Sequence, residues 1–186
     1  MMETAGDEKA TTVAIFRDGF DRVLDSVETL LKRPDPLLLA YRPGPQANHI
    51  AWLIWHLSRV QDDHFTHLAN ALWPDTRTEQ RWVAEDWVSA LNLPYSKLDT
   101  GYAHSSEQVG SFGTYDANKL LGYHRAVHTF SNGILGKLST NDFGTVVDRR
   151  WDPPVTAAVR LASILNDTTQ HAGQASYVHG LFASQP

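Results

Sequence analysis

At 186 residues, with 42% apolar and 20% charged positions, the chain suits a single domain spanning 1–186 with a sizeable core and is marginal for two. A net charge of −5 with no basic run argues against a nucleic-acid or acidic-membrane partner. The absence of cysteine leaves only histidine and carboxylate to hold a metal, so any thiol chemistry must come from a substrate; without a spanning or signal-type apolar run the expected location is the cytoplasm.

In chain order, the first long helix is predicted over residues 7–31, where Phe16, Phe20, Val23, Val27, Leu30 and Leu31 keep the i, i+3, i+4, i+7 rhythm. Arg33-Pro-Asp-Pro36 ends it, because proline lacks an N–H and disfavours helix in the residue before it. After a loop through Arg42-Pro-Gly-Pro45, a second helix over 48–71 sets Ile50, Leu53, Ile54, Leu57, Val60 and Leu68 on one arc, with His56 at its edge. By helical angle the nearest neighbours of His56 are His49 and Asp63. Between Trp73 and Tyr115 turn signals dominate, with a short helical piece over 79–91. Ser105 or Ser106 can cap another, ahead of Glu107 and Gln108. So long an excursion is expected to serve function, and its Trp82, Trp87, Tyr95, Tyr102 and His104 are suited to lining a site. A third helix follows over 116–138, with Leu120, Val127, Ile134 and Leu138 inward, closed by Asn141-Asp-Phe-Gly144. Residues 144–148 read as a brief extended segment. Asp152-Pro-Pro154 then starts the fourth helix, proline in its first turn, which runs to about Phe182. Residues 1–6 and 184–186 are expected to fray. The resulting fold class is all-α: an antiparallel or mixed four-helix bundle with a long crossover between helices 2 and 3.

The chemistry concentrates in Asn166-Asp-Thr-Thr-Gln-His-Ala-Gly-Gln174. Asp167 and His171 are four apart and so share one helical face. Ile164, Ala175, Val178 and Phe182 recur within about 40° of His171 at roughly 100° per residue, so both polar groups are expected to point at the core. A carboxylate buried beside a histidine is costly unless a cation or a tight hydrogen-bond network compensates. A metal needs a third ligand from another helix, and His56 is the best placed. Two histidines and one carboxylate leave positions open for water or substrate, as in a catalytic site. The alternative is a hydrogen-bonded core pair, Asp167 with His171, and an ordinary buried His56. His124 and His128 form a rival pair at a common ligand spacing, with no acidic residue in register. His49, His64, His67 and His179 read as surface or supporting groups. Asp63 shares the His56 face and either orients that imidazole, acts as a general base, or pairs with Arg59. Trp52 and Trp55 are read as packing.

A histidine in an aromatic second helix, Ile50-Ala-Trp-Leu-Ile-Trp-His-Leu57, followed far downstream by Asp-xxx-His-x-Gly-Gln from Asp167 to Gln174, resembles the DinB/YfiT-like superfamily over most of the chain. The resemblance implies a four-helix bundle, often a homodimer. It also implies a divalent metal on three side chains, one from the second helix and two from the last, matching His56, Asp167 and His171 here. The commonest form has histidine at all three places. Asp167 departs from it and is similar to the mycothiol-dependent maleylpyruvate isomerase branch, which uses the one-methylene-longer glutamate. Ala51-Trp-Leu53, Arg59-Val-Gln-Asp-Asp-His64, Thr100-Gly-Tyr-Ala-His104 and Gln170-His-Ala-Gly-Gln174 are most similar to the actinobacterial subgroup, whose resident thiol is mycothiol.

The activity implied is a metal-dependent transferase that activates a low-molecular-weight thiol, mycothiol or bacillithiol, for S-transfer to a small electrophile or its isomerisation. A metal-dependent hydrolase and a non-catalytic, stress-associated metal-binding dimer are the alternatives. In the first reading Asp63 is the catalytic proton acceptor, and Tyr102, His104, Tyr123 and Arg125 contact the cosubstrate near the mouth of the site. Zinc or nickel is the metal expected first, with iron or manganese also admissible. The expected partners are a small-molecule substrate and a second copy of the chain.

Overall fold

The structure, a computed structural model, describes residues 3–33 and 35–185. Four long helices dominate it: α1 (Glu3–Leu31), α3 (Ile50–Leu72), α7 (Ala117–Lys137) and α8 (Ala157–Ala183). Between α1 and α3 lies α2 (Pro36–Ala40). The crossover from α3 to α7 holds α4 (Arg81–Ala84), α5 (Trp87–Leu91) and α6 (Ser106–Gly110). A 3-10 turn (Thr140–Gly144) and a two-stranded antiparallel hairpin, β1 (Val146–Asp148) and β2 (Val155–Thr156), lead into α8. Among the described residues, no helix is long and apolar enough to cross a membrane.

The apolar stripes assemble two cores. One joins the C-terminal half of α1, the N-terminal halves of α3 and α7, the C-terminal half of α8, and Trp82, Leu91, Val109 and Phe112 of the crossover. The other takes the opposite halves, with Val13, Phe20, Phe65, Leu68, Ile134, Leu138, Leu161 and Ile164. That partition fixes the directions: α1 and α8 run one way, α3 and α7 the other, a mixed four-helix bundle. α1 and α3 each pack against both α7 and α8. Between the cores the same helices turn polar, with Ser58, Arg59, Gln61 and Asp62 on α3, His128 and Ser131 on α7, and Asp167 and Thr168 on α8. The candidate site, His56, Asp167 and His171, lies at the edge of this waist.

Several boundaries differ from expectation. α1 is already helical at Glu3, while Met1, Met2 and Pro186, expected to fray, lie outside the described residues. The stretch before Arg42 holds α2, whose N-cap Asp35 accepts from the Leu37 N–H at 2.9 Å with Pro36 in its first turn. The 79–91 piece is two short helices. α8 starts at Ala157 rather than at the prolines. Val155 and Thr156 pair with Asp148 and Val146, so the ladder takes these residues, and Thr156 becomes the N-cap. Ser105 caps α6 in a capping box with Gln108.

Candidate metal centre

His56 faces α8 from the first third of α3. Its ring stacks on Trp52, one turn earlier, with centroids 4.7 Å apart and planes 10° apart. Its Nδ1 lies 2.6 Å from the Thr100 carbonyl oxygen, so Nδ1–H donates there and the Nε2 lone pair is left free. On α8, His171 Nδ1–H donates to Gln174 Oε1 at 3.1 Å, which frees its Nε2 in the same way. The His56 and His171 rings meet edge to face at 4.7 Å. Asp167 Oδ1 is 3.6 Å from His171 Nε2, beyond hydrogen-bond range. Its Oδ2 is buried with no hydrogen-bond partner among the described residues. One donor atom from each of His56, Asp167 and His171 lies within 4.8 Å of the other two.

Two imidazole lone pairs and an unsatisfied carboxylate oxygen make a donor set that fits a divalent cation. A carboxylate oxygen with no donor of its own is the feature a cation would satisfy. The pair is less buried than expected. The side chains of Asp167 and His171 are 38% and 18% exposed, because the inward stripe of α8 runs through Ile164, Thr168, Ala172 and Ala175, one residue further round. Burial pushes the His56 imidazole below the usual histidine range, against the opposing pull of the Thr100 carbonyl, which favours the neutral form that a ligand needs.

His56 and Asp167 open onto a cavity of about 840 Å³ between α3, α8 and the β1–β2 hairpin. Asp63 lines it and is held in place. Its Oδ1 accepts from Gln80 Nε2 at 2.7 Å, and its Oδ2 lies 3.2 Å from His67 Nδ1. Burial raises the Asp63 carboxyl, but the His67 hydrogen bond and the charges of His67, His64 and Arg59 outweigh that, leaving it below the ordinary range. The alternative Asp63–Arg59 ion pair is replaced by another. Arg59 pairs with Asp62 at 3.6 Å, both side chains fully buried. Asp63, His64 and His67 form a second close group on the same wall.

The other expected contacts divide. Tyr102 lines the cavity and is 87% exposed. His104 is wedged behind it, accepting from Trp52 Nε1 at 3.3 Å and lying 3.1 Å from Asp99, so it braces the crossover. Tyr123 is fully buried in α7 and donates to Asp62 Oδ2 at 3.0 Å. Arg125 donates to Glu28 on α1 at 2.8 Å. Neither Tyr123 nor Arg125 lines the cavity, because their positions on α7 point into the core and toward α1. His124 contacts Ser58, and His128 contacts Asp21 and Asn132, apart from the triad. Trp52 and Trp55 pack in the core as expected. Sequence reasoning gave no place to Thr100, whose backbone carbonyl has no signature, or to Arg149, Arg150 and Trp151, although the Arg-Arg-Trp run is visible.

A mixed helical bundle carrying a two-histidine, one-carboxylate cluster at its waist has the architecture of bundle proteins that build metal sites from facing helices. The chain belongs to the DinB superfamily, whose family model matches residues 19–175. It is also similar to a solved structure, the crystal structure of the conserved protein of locus from Enterococcus faecalis. The two are 25% identical with a TM-score of 0.80, over 92% of this chain and 97% of that one. No curated protein matches the chain.

Proposed function

We propose that this protein is a metal-dependent enzyme, a transferase that activates a low-molecular-weight thiol of the mycothiol or bacillithiol type toward a small electrophile. The observation that carries the reading is the partnerless Asp167 Oδ2, grouped with two imidazoles at the wall of an open cavity. An ordinary core pair would satisfy that oxygen, and a purely structural site would have no cavity beside it. His56, Asp167 and His171 would hold the ion, zinc or nickel first and iron or manganese next, and when bound it would lower the pKa of a thiol. The protein itself offers no cysteine, so the thiol is a cosubstrate. Thr100 and Gln174 fix the two imidazole tautomers. Asp63, ionised and on the same wall, takes the thiol proton while the sulfur electron pair bonds to an electrophilic carbon of the second substrate; that carbon gives up a π bond or a leaving group, and the anion so formed takes the proton back from Asp63. We further propose that the working unit is a homodimer in the cytoplasm.

The test is elemental analysis of protein purified without a histidine tag, beside His56→Ala and Asp167→Asn. The expected result is one divalent ion per chain in the parent and none in either variant. In metal-free protein, Asp167→Asn should be at least as stable as the parent, because it takes the charge off the buried Oδ2 that no donor meets, whereas added zinc should raise the Tm of the parent alone. Thiol-dependent consumption of a model electrophile by the loaded parent then tests the transferase. A parent that takes up no metal after reconstitution would overturn the proposal.

A further inference from the structure

The cavity has a second end. The turn joining β1 to β2 brings Arg149, Arg150 and Trp151 to its wall, and α8 adds Arg160. Two of these guanidiniums share one carboxylate. Asp148 takes Arg150 at 2.9 Å and Arg160 at 2.8 Å, while Arg149 has no hydrogen bond or ion pair among the described residues. In a chain of net charge −5, such a local cationic excess at a cavity wall focuses anions against the field of the rest of the surface. Of the acidic groups of the cavity, Asp148 pairs with these arginines, Asp63 lies within electrostatic reach of Arg150 and is held by His67 and Gln80, and Asp167 stands at the other end beside His56. Arg160 precedes Asp167 by seven residues on α8, two turns, which puts the two ends roughly 10 Å apart at 1.5 Å per residue. Tyr102 and Trp151, 87% and 64% exposed, both line the cavity and offer it aromatic faces.

We propose that the cavity takes a two-ended small molecule, with a head group at the His56–Asp167–His171 cluster and an oxyanion, carboxylate or phosphate, on Arg149 and Arg150, its body lying against Tyr102 and Trp151. The head-group assignment rests on the proposed function; the oxyanion end rests on the arginines alone. The Arg149 fork, with no partner among the described residues, suits both planar and tetrahedral oxyanions, while Arg150, its fork held by Asp148, adds charge beside it; a neutral tail leaves Arg149 nothing to bind.

The test uses cobalt(II)-loaded protein and three thiols of equal chain length, mercaptohexanoate, mercaptohexyl phosphate and mercaptohexanol. Binding is read by calorimetry and by the visible spectrum of the ion. At least one anionic thiol should bind about tenfold more tightly than the alcohol, the effect of one charge-assisted pair. Which of the two wins identifies the tail. In an Arg149→Gln/Arg150→Gln variant that preference should fall to near one. Trp151→Ala should weaken all three thiols while keeping the ratio. Equal binding of acid, phosphate and alcohol by the parent, or a ratio unmoved in the double variant, overturns the proposal. Failure of cobalt to bind would instead sink the metal reading. The oxyanion end is then judged on metal-free protein with hexanoate, hexyl phosphate and hexanol, and equal or undetectable binding there overturns it too.

Discussion

Position 101 tolerates only glycine, for two reasons that act together. Its φ of +87° is a conformation that side chains rarely adopt, and a Cβ built there would meet His56 Nδ1 at 2.8 Å, Trp55 Cζ3 at 2.9 Å and Trp52 Cζ2 at 3.0 Å. All three are ring atoms packed in the core side of the site, with little room to retreat. The closeness is what lets the neighbouring Thr100 carbonyl reach His56 and set its tautomer. Gly101→Ala is therefore expected to cost about 2–4 kcal/mol of stability, backbone strain plus overpacking. It should also weaken metal binding by displacing the His56 ring. Urea unfolding paired with a cobalt titration checks both; a variant matching the parent in each would show that the crossover does not hold His56.

At the scale of elements, the crossover is tied to α3 by a buried polar knot rather than by apolar contact alone. Asp62 accepts from the Arg81 and Trp82 N–H groups at 2.9 and 2.8 Å and from Tyr123. Arg59 donates to the Asp99 carbonyl at 3.0 Å, to Gln80 Oε1 at 2.9 Å and to Tyr123, and its guanidinium lies over Trp82. Arg59→Met should cost about 3–5 kcal/mol, since it strands the Asp62 charge. The carbonyls of 98–100 should loosen with it, so metal affinity falls although no ligand has changed. Arg59→Lys should not rescue, because one ammonium cannot span three directions. Thermal unfolding and metal titration of both variants decide this; rescue by lysine would reduce Arg59 to a point charge.

This knot also marks where legibility ends. The four long helices were readable because their apolar periods run for many turns, and the grouping of Asp167 with His171 because i, i+4 spacing is geometry. α2 was missed although Asp35-Pro36 is a helix-start signal, its five residues being too few to show a period. The start of α8 was misplaced because proline at a first turn and proline in a hairpin turn look alike until β1 pairs with β2. Which carbonyl holds His56, and that Arg59 chooses Asp62 over Asp63, depend on how the crossover folds back.

For the whole molecule, stability depends on pH through histidines held neutral, one in the polar band between the cores and one at the start of α3. Burial pushes His124 down to about 3, with the charge of His128 adding to it, and pushes His49 down to about 4 against its bond to the Val109 carbonyl. His49 shows why the proton is refused. Its Nδ1 accepts from the Trp52 N–H at 3.1 Å, capping α3, while its Nε2–H donates to Val109 O at 3.1 Å, so a second proton would break the cap. In the unfolded chain both imidazoles titrate near 6.5. Below that pH the unfolded state binds protons that the fold does not. The stability from these two residues is therefore complete above about 6.5 and lost as pH falls toward 4 and 3, each with a slope of about 1.4 kcal/mol per pH unit. His64, lowered by burial, adds in the same sense. His67, raised by its Asp63 hydrogen bond, opposes it, contributing below 6.5 and fading as pH rises. The carboxylates held below their ordinary range, Asp99 and Asp148 among them, act only near and below pH 4. Metal-free protein unfolded in urea between pH 7 and 5 should thus lose stability steadily, and His124→Gln should remove about one proton's worth of that slope. A pH-independent midpoint across this range would mean that these histidines are protonated in the native fold.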